Sequence, residues 1–296
     1  MANLRDIRTR ITSVNNTIQI TKAMKMVAAA KLRKAQNRMV ETRPYASKLS
    51  EVTGRLSSGK NQAGSGLFRQ AEETDRILFI VIGSDRGLCG GFNNNLFKVV
   101  EERLNREFSA ERSEGRLDLY CLGKKADAYF RKRDYQVVQS WPGFFDQLDF
   151  DSTAGIMEQV RNRFVNETYD AVYLAFNAFK SVIVQERTIK KILPVHTEEL
   201  ANNDSSSDRT EYLYEPDTDT ILNRLLPLHL TMQLWGAVLE SNTAEQGARM
   251  AAMDNATENA KELEQELRLT YNQARQSAIT TEISEIVSGA QALEGS

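Results

Sequence analysis

The densest set of residues that could do chemistry lies at residues 83–93, GSDRGLCGGFN. The stretch follows an apolar run and precedes a helical pattern, the place where backbone N–H groups of a glycine-rich loop cradle phosphates. Its spacing, however, is neither G-x-G-x-x-G nor G-x-x-x-x-G-K-[ST]. The end of the next strand reads Cys121, Leu122, Gly123, without the acidic residue that would hold a ribose. Gly87, Gly90 and Gly91 are therefore read as structural turn positions that allow positive φ, with Cys89 packed among them. As a nucleophile Cys89 would need an activating base. The two histidines, His196 and His229, are far from it in sequence, and each stands alone. Asp85 and Arg86 form either a local ion pair or two solvated loop charges. No pair of carboxylates has a setting for acid–base work, and two cysteines alone make neither a disulfide framework nor a zinc site. The residues therefore point to no catalytic centre, no metal and no cofactor.

The elements that carry these residues fall into three segments. Residues 1–53 contain no glycine, and apolar residues Leu4, Ile7, Ile11, Val14 and Ile18 alternate three and four apart. The pattern resumes after a small phase shift at Met24, Ala28, Leu32, Ala35 and Met39. This is the seam of one helix more than about 40 residues long, far beyond the ordinary 11–12. Residues 54–75 are polar and rich in Gly, Ser and Gln, and read as a linker. From residue 76 the period changes. RILFIVIG at 76–83 is a strand buried on both faces. Strands at 117–122, 136–140 and 171–176 alternate with helices at 92–108, 124–133 and 153–167, followed by a β-rich stretch at 182–195 and a short strand at 211–214. That alternation specifies a Rossmann-like α/β domain with a largely parallel sheet.

Beyond residue 217 the chain turns helical again. Met253, Ala256, Ala260, Leu263, Leu267, Thr270 and Ala274 form a second seam of mostly small residues. Pro227 should kink or break this helix, so its uninterrupted part is expected from about Leu230 onward. At about 1.5 Å per residue the terminal helices would be roughly 75 and 90 Å long, deeper than the core of any domain this size. They must pair with each other or lie inside another protein. The expected organisation is an N-terminal coiled-coil helix at 1–58, a central α/β domain at 76–215 and a C-terminal coiled-coil helix at 217–292.

Charge supports the pairing. The 296 residues carry a net charge of -2, which excludes a generally basic nucleic-acid binder. Residues 1–60 nevertheless hold 13 Lys/Arg against Asp6, Glu41 and Glu51, and residues 240–296 hold ten acids against four bases. A basic helix facing an acidic one favours an antiparallel coiled coil, with the seams supplying stability, since surface ion pairs contribute only about 0–1 kcal/mol each. The bases at Arg5, Arg8, Arg10, Lys22 and Lys25 are spread over several faces without interleaved aromatics, unlike a nucleic-acid site. No run of 18 apolar residues exists to span a membrane, and the charged N-terminal stretch reads as no signal peptide.

Several stretches resemble the gamma subunit of F-type ATP synthases of bacterial type, over essentially the whole chain. They are ITKAMKMVAAA at 20–30, RPYA at 43–46, SDRGLCGGFN at 84–93, YLYEP at 212–216 and ITTEISEIVSGAQA at 279–292. The resemblance implies a central rotary shaft that couples a proton-driven membrane ring to ATP synthesis in the beta subunits. It implies a non-catalytic subunit without nucleotide of its own, present as one copy with alpha, beta, epsilon and the c-subunit ring, peripheral on the cytoplasmic face of the bacterial membrane. By the same resemblance Met24, Lys25, Arg249, Gln276, Thr280 and Glu282 contact beta-subunit loops, and Tyr212 and Glu215 belong to the foot near epsilon and the ring. The cysteine-bearing central insertion of the chloroplast form has no room here. A stand-alone α/β enzyme with helical oligomerisation arms, or a coiled-coil adaptor, are the competing readings.

Overall fold

A computed structural model describes residues 4–57, 66–71, 74–196 and 214–294. Helix α1 spans Leu4–Ser57. Its length follows from composition: good helix formers, no glycine before Gly54, and Pro44 on an exposed face where the lost hydrogen bond costs least. Then come β1 (Ile77–Ile82), α2 (Phe92–Glu107), α3 (Ser109–Ser113), β2 (Leu117–Leu122), α4 (Lys124–Arg131) and β3 (Val137–Trp141). Helix α5 (Phe150–Val165), β4 (Ala171–Phe179), β5 (Gln185–Leu193) and α6 (Thr218–Glu294) complete the chain. It divides into two compact units: residues 29–249, and residues 1–28 with 250–296.

In the first unit the five strands are ordered β3-β2-β1-β4-β5. The pairs β1–β2, β1–β4 and β2–β3 are parallel and β4–β5 is antiparallel. β1 is buried at all six positions, as its unbroken apolar run requires. Phe79 and Val81 face a core built with Leu96, Phe97 and Val100 of α2 and Ala126 and Phe130 of α4. Leu78, Ile80 and Ile82 face the opposite core, with Ile156, Val160 and Phe164 of α5. That second core also takes Leu222, Leu226, Leu230, Leu234 and Val238 of α6.

Those leucines overturn the expectation at Pro227. α6 begins at Thr218, ahead of the proline, and runs through it. Asp217 caps it, accepting from Thr220 N at 2.8 Å and Thr220 Oγ1 at 2.7 Å. An interior proline costs about 3 kcal/mol, but each buried leucine returns about 2 kcal/mol, and four of them share one face. Thr231 Oγ1 also donates to the Pro227 carbonyl at 2.9 Å. The linker expectation needs a correction as well. α1 persists to Ser57, and a 3-10 turn at Gly66–Phe68 buries Leu67, whose carbonyl accepts from Val195 N at 3.0 Å. Residues 58–65 and most of the strand expected at 211–214 lie outside the described residues; Tyr214 itself is not in a strand.

In the second unit the two helices run antiparallel. Lys25 meets Asp254 at 2.6 Å, and Thr21 meets Thr257 at 2.7 Å, so rising numbers on one helix meet falling numbers on the other. The α1 seam is continuous: Thr21 is buried and fills the position where the apolar pattern skipped, so no phase shift is needed. On α6 the buried or half-buried line is Met253, Thr257, Ala260, Glu264, Leu267, Tyr271 and Ala274. Leu263 and Thr270, expected on the seam, are exposed. The stripe is real, and Ala256 is half-buried as expected beside Thr257, but Glu264 and Tyr271 take the places of Leu263 and Thr270, one residue later.

Candidate functional site

The strand order reverses between β1 and β4, which lie side by side: α2 leaves β1 over one face of the sheet, and α5 leads into β4 over the other. In open α/β sheets that crevice is where ligands bind. The glycine-rich loop leaves β1 there. Its interior is already filled by protein. Cys89 and Phe92 pack with Ala244 of α6, against Phe179 of β4 and Ala248 of α6. Asn93 Oδ1 accepts from Ser84 N at 3.0 Å, Asn93 Nδ2 donates to Ser84 Oγ at 2.7 Å, and Asn177 Nδ2 donates to the Phe92 carbonyl at 3.2 Å. The long helix therefore occupies the crevice that a dinucleotide would need.

Backbone geometry separates the glycines. Gly90 has φ +58°, and Leu88 shares the left-handed region at φ +62°. Gly87 and Gly91 do not need positive φ. The most constrained glycine is Gly123, at the end of β2, with φ +94°; a Cβ there would lie 2.9 Å from the Gly83 carbonyl oxygen. Cys89 is buried, and burial followed by the neighbouring Glu245 carboxylate pushes its thiol up, which keeps it protonated and inert. Cys121, fully buried in β2, is pushed up still further by the same cause.

Asp85 and Arg86 do not pair with each other. Asp85 Oδ1 accepts from the backbone of Lys124 at 2.9 Å and Gly143 at 2.7 Å, and Oδ2 from Phe145 N at 2.8 Å. One carboxylate thus ties the loop to the starts of two later segments, because three inward N–H groups have no strand partner. Arg86 pairs with Asp146 at 3.0 Å.

The loop is also clamped to α6. Arg249 Nη2 donates to Glu245 Oε1 at 2.6 Å, to the Gly87 carbonyl at 3.2 Å and to the Arg86 carbonyl at 3.3 Å. The side chains of Arg249 and Glu245 are only 12% and 6% exposed, so this is a buried ion pair. Burial raises the Glu245 pKa, while Arg249 and Lys31 pull it down. Glu245 was not singled out in the sequence, although a Glu four residues ahead of an Arg is a recognisable helical pair.

The other expected site residues are dispersed. Met24 is half-buried on α1, and Lys25 is spent on Asp254. Gln276, Thr280 and Glu282 are exposed on α6, with Thr280 Oγ1 donating to the Gln276 carbonyl at 2.9 Å. Glu282 lines a groove of about 690 Å³ with Leu4 and Ile7 of α1. Since Met24 lies opposite residue 254, some 22 residues and roughly 33 Å of helix separate it from Gln276. Arg249 and the turn residues converge; Met24 and Lys25 do not join Gln276. Glu215 is exposed, and Tyr212 lies outside the described residues. Thr21 and Thr257, which meet in the seam of the antiparallel pair, carried no sequence signal beyond a gap in the apolar pattern.

A sequence profile described as ATP synthase matches residues 3–293. The ATP synthase gamma chain of Prosthecochloris aestuarii is 48% identical over 295 residues, covering 100% of both chains. That of Chlorobaculum tepidum is 46% identical over 294 residues, covering 99% of this chain and 100% of its own. Among solved structures, a chain of the central stalk and c-ring of Tetrahymena thermophila mitochondrial ATP synthase is similar with a TM-score of 0.58. It is 27% identical, over 80% of this chain and 99% of that one. A chain of the OSCP/F1/c-ring assembly of Euglena gracilis mitochondrial ATP synthase shares the fold, with a TM-score of 0.69 at 20% identity, covering 98% of this chain and 94% of that one.

Proposed function

The chain belongs to the ATP synthase gamma-chain family, and from that premise we propose that it is the central rotary shaft of a proton-translocating F-type ATP synthase. One copy turns within the alpha–beta head, its foot held by epsilon and the membrane c-ring, carrying torque and making no bonds itself. It sits on the cytoplasmic face of the bacterial membrane through that complex; among the described residues no helix is long and apolar enough to cross a membrane.

The observation that carries this reading is the far end of α6. Ile279, Ile283, Ile286 and Val287, spaced four, three and one apart, form one apolar helix face and are 47–66% exposed. A helix does not leave four large aliphatic side chains in water unless a partner covers them. The antiparallel seam suits the task, because torsion is resisted by a packed stripe and an unbroken ladder of backbone hydrogen bonds.

Met24, Lys25, Gln276, Thr280 and Glu282 are assigned to the surface that meets beta-subunit loops, and Tyr212 and Glu215 to the foot. Arg249, assigned to the beta loops as well, has a second duty: its guanidinium locks the loop after β1 to α6, so that load on one reaches the other.

The test uses the exposed turn between β4 and β5. Ile183 is 81% exposed and both native cysteines are buried, so Ile183→Cys takes a single label. In a complex reassembled with immobilised alpha and beta subunits, that label should rotate in one direction while ATP is hydrolysed. A label fixed relative to the head during turnover would overturn the proposal.

A further inference from the structure

A groove of about 510 Å³ lies in the 29–249 unit beside the loop that follows β1. That volume falls in the roughly 300–1,000 Å³ range of small-molecule sites. One wall is α1, which offers Lys31, Lys34 and Arg38 with Ala35 among them. Their spacing of three and then four residues puts them on one helix face. The residues from Phe145 to Asp149, ahead of α5, form the facing wall, and α6 contributes Asn242, Glu245, Gln246 and Arg249.

Carboxylates also line the groove, and each of them is already engaged. Asp85 accepts from three backbone N–H groups, and Asp146 pairs with Arg86. Asp149 caps α5, accepting from Ser152 N at 2.7 Å and Ser152 Oγ at 2.8 Å. Glu245 is held by Arg249 and is also stabilised by Lys31. The cations are not matched in the same way. Lys34 and Arg38, one helical turn apart, make no ion pair and no side-chain hydrogen bond with any described residue. Like charges at that spacing destabilise a helix, and an anion between them relieves the repulsion. The half-buried Asn242 amide, on α6, has no side-chain partner among the described residues either. An occupant that answers all three groups carries two negative charges and offers oxygens to a guanidinium fork, an ammonium and an amide N–H. Chloride has one charge and no fork geometry, and a carboxylate has one charge and two oxygens. A phosphate dianion has both the charge and the oxygens.

We propose that this groove binds a phosphate dianion, either orthophosphate or the phosphomonoester end of a small molecule, with Arg38 and Lys34 pairing its charge and Asn242 donating to a third oxygen. The groove leaves room for an organic tail beside the half-buried Phe145 and Leu148. A bound phosphate bridges α1 and α6, and stabilises the unit by mass action. The site does not depend on the rotary reading.

Amide NMR of the full-length chain locates the binding. Orthophosphate, glycerol phosphate, succinate and chloride would be titrated at constant ionic strength and about pH 8, where phosphate is a dianion. Orthophosphate, glycerol phosphate or both should shift the amides of residues 31–38, 145–149 and 242–249 saturably and together. Saturation by orthophosphate alone identifies the free ion, by glycerol phosphate alone a monoester, and by both the phosphate group whatever it is attached to. Lys34→Gln and Arg38→Gln should each weaken binding by about fivefold or more. Both side chains are exposed, so both variants should fold. Arg33→Gln removes an equally exposed charge from α1 outside the groove and should change the affinity by less than about twofold. Shifts that are absent, that never saturate, or that succinate or chloride reproduces overturn the proposal. So does binding that either groove variant leaves unchanged, or that Arg33→Gln weakens as much as Arg38→Gln.

Discussion

The clamp between Arg249 and Glu245 allows a worked prediction. Replacing Arg249 by Met keeps the apolar stem but removes the charge and the donors to the Gly87 and Arg86 carbonyls. Glu245 is then a buried carboxylate without its main partner, and breaking such a pair costs about 3–5 kcal/mol. The structure sets a ceiling on that figure. The carboxyl can escape by taking a proton, which from an ordinary pKa of 4.5 costs about 3.4 kcal/mol at pH 7. Lys31, which also stabilises the anion, lowers the cost further. Adding about 1 kcal/mol for the two carbonyls, Arg249→Met should lose about 3–4 kcal/mol. Glu245→Gln in the same chain removes the stranded charge, so the double variant should recover about 2 kcal/mol. The sign with pH is fixed too. In Arg249→Met the folded-state pKa of Glu245 rises further above its unfolded value, so the folded chain holds the extra proton. Stability is then best below about pH 4.5 and is lost as pH rises, and the gap to the parent chain should narrow between pH 7 and 5. Urea unfolding of the four chains at both pH values measures this. Additive single effects with a pH-independent Arg249→Met cost would refute the buried pair as the source of the clamp.

Two further outcomes follow from the same unit. His229, with its pKa lowered from 6.5 to about 4, binds its proton more readily in the unfolded chain, so its contribution is present above pH 6.5 and lost as pH falls toward 4. It amounts to about 3 kcal/mol, and urea midpoints in that window should fall more steeply for the parent chain than for His229→Gln; equal slopes would refute it. Asp85→Ala strands three backbone N–H groups and should cost about 2–4 kcal/mol. Asp85→Asn keeps the Oδ1 acceptor for Lys124 and Gly143 and should fall between, as measured by the shift in urea midpoint.

What the residues revealed and what they hid divide along a physical line. β1 was legible because a strand covered on both faces has no polar position, and the parallel pairs followed from the helices between the strands. β5 could be read as β-rich but not as antiparallel from its own residues. Its direction is set by the five-residue turn after Phe179, too short for a parallel crossover. The long helices were legible because a continuous stripe survives one bad residue. That same tolerance hid the true line on α6, where Glu264 and Tyr271 lie inward while Leu263 is exposed. Spacings of three-then-four and four-then-three share half their positions, and only the partner helix decides between them. Pro227 misled because a propensity acts on one residue while four leucines act together. The loop after β1 shows the limit most plainly. Its glycines and Cys89 stood out by composition, yet what fixes its role is Arg249, some 160 residues later. The Glu245–Arg249 pair could have been found from spacing alone, but not the carbonyls it reaches. Those are brought to it by the sheet order, which puts the end of β1 at the switch point and lays α6 across the crevice. A fold that ordinarily opens a ligand site at that point has here used it to grip a helix.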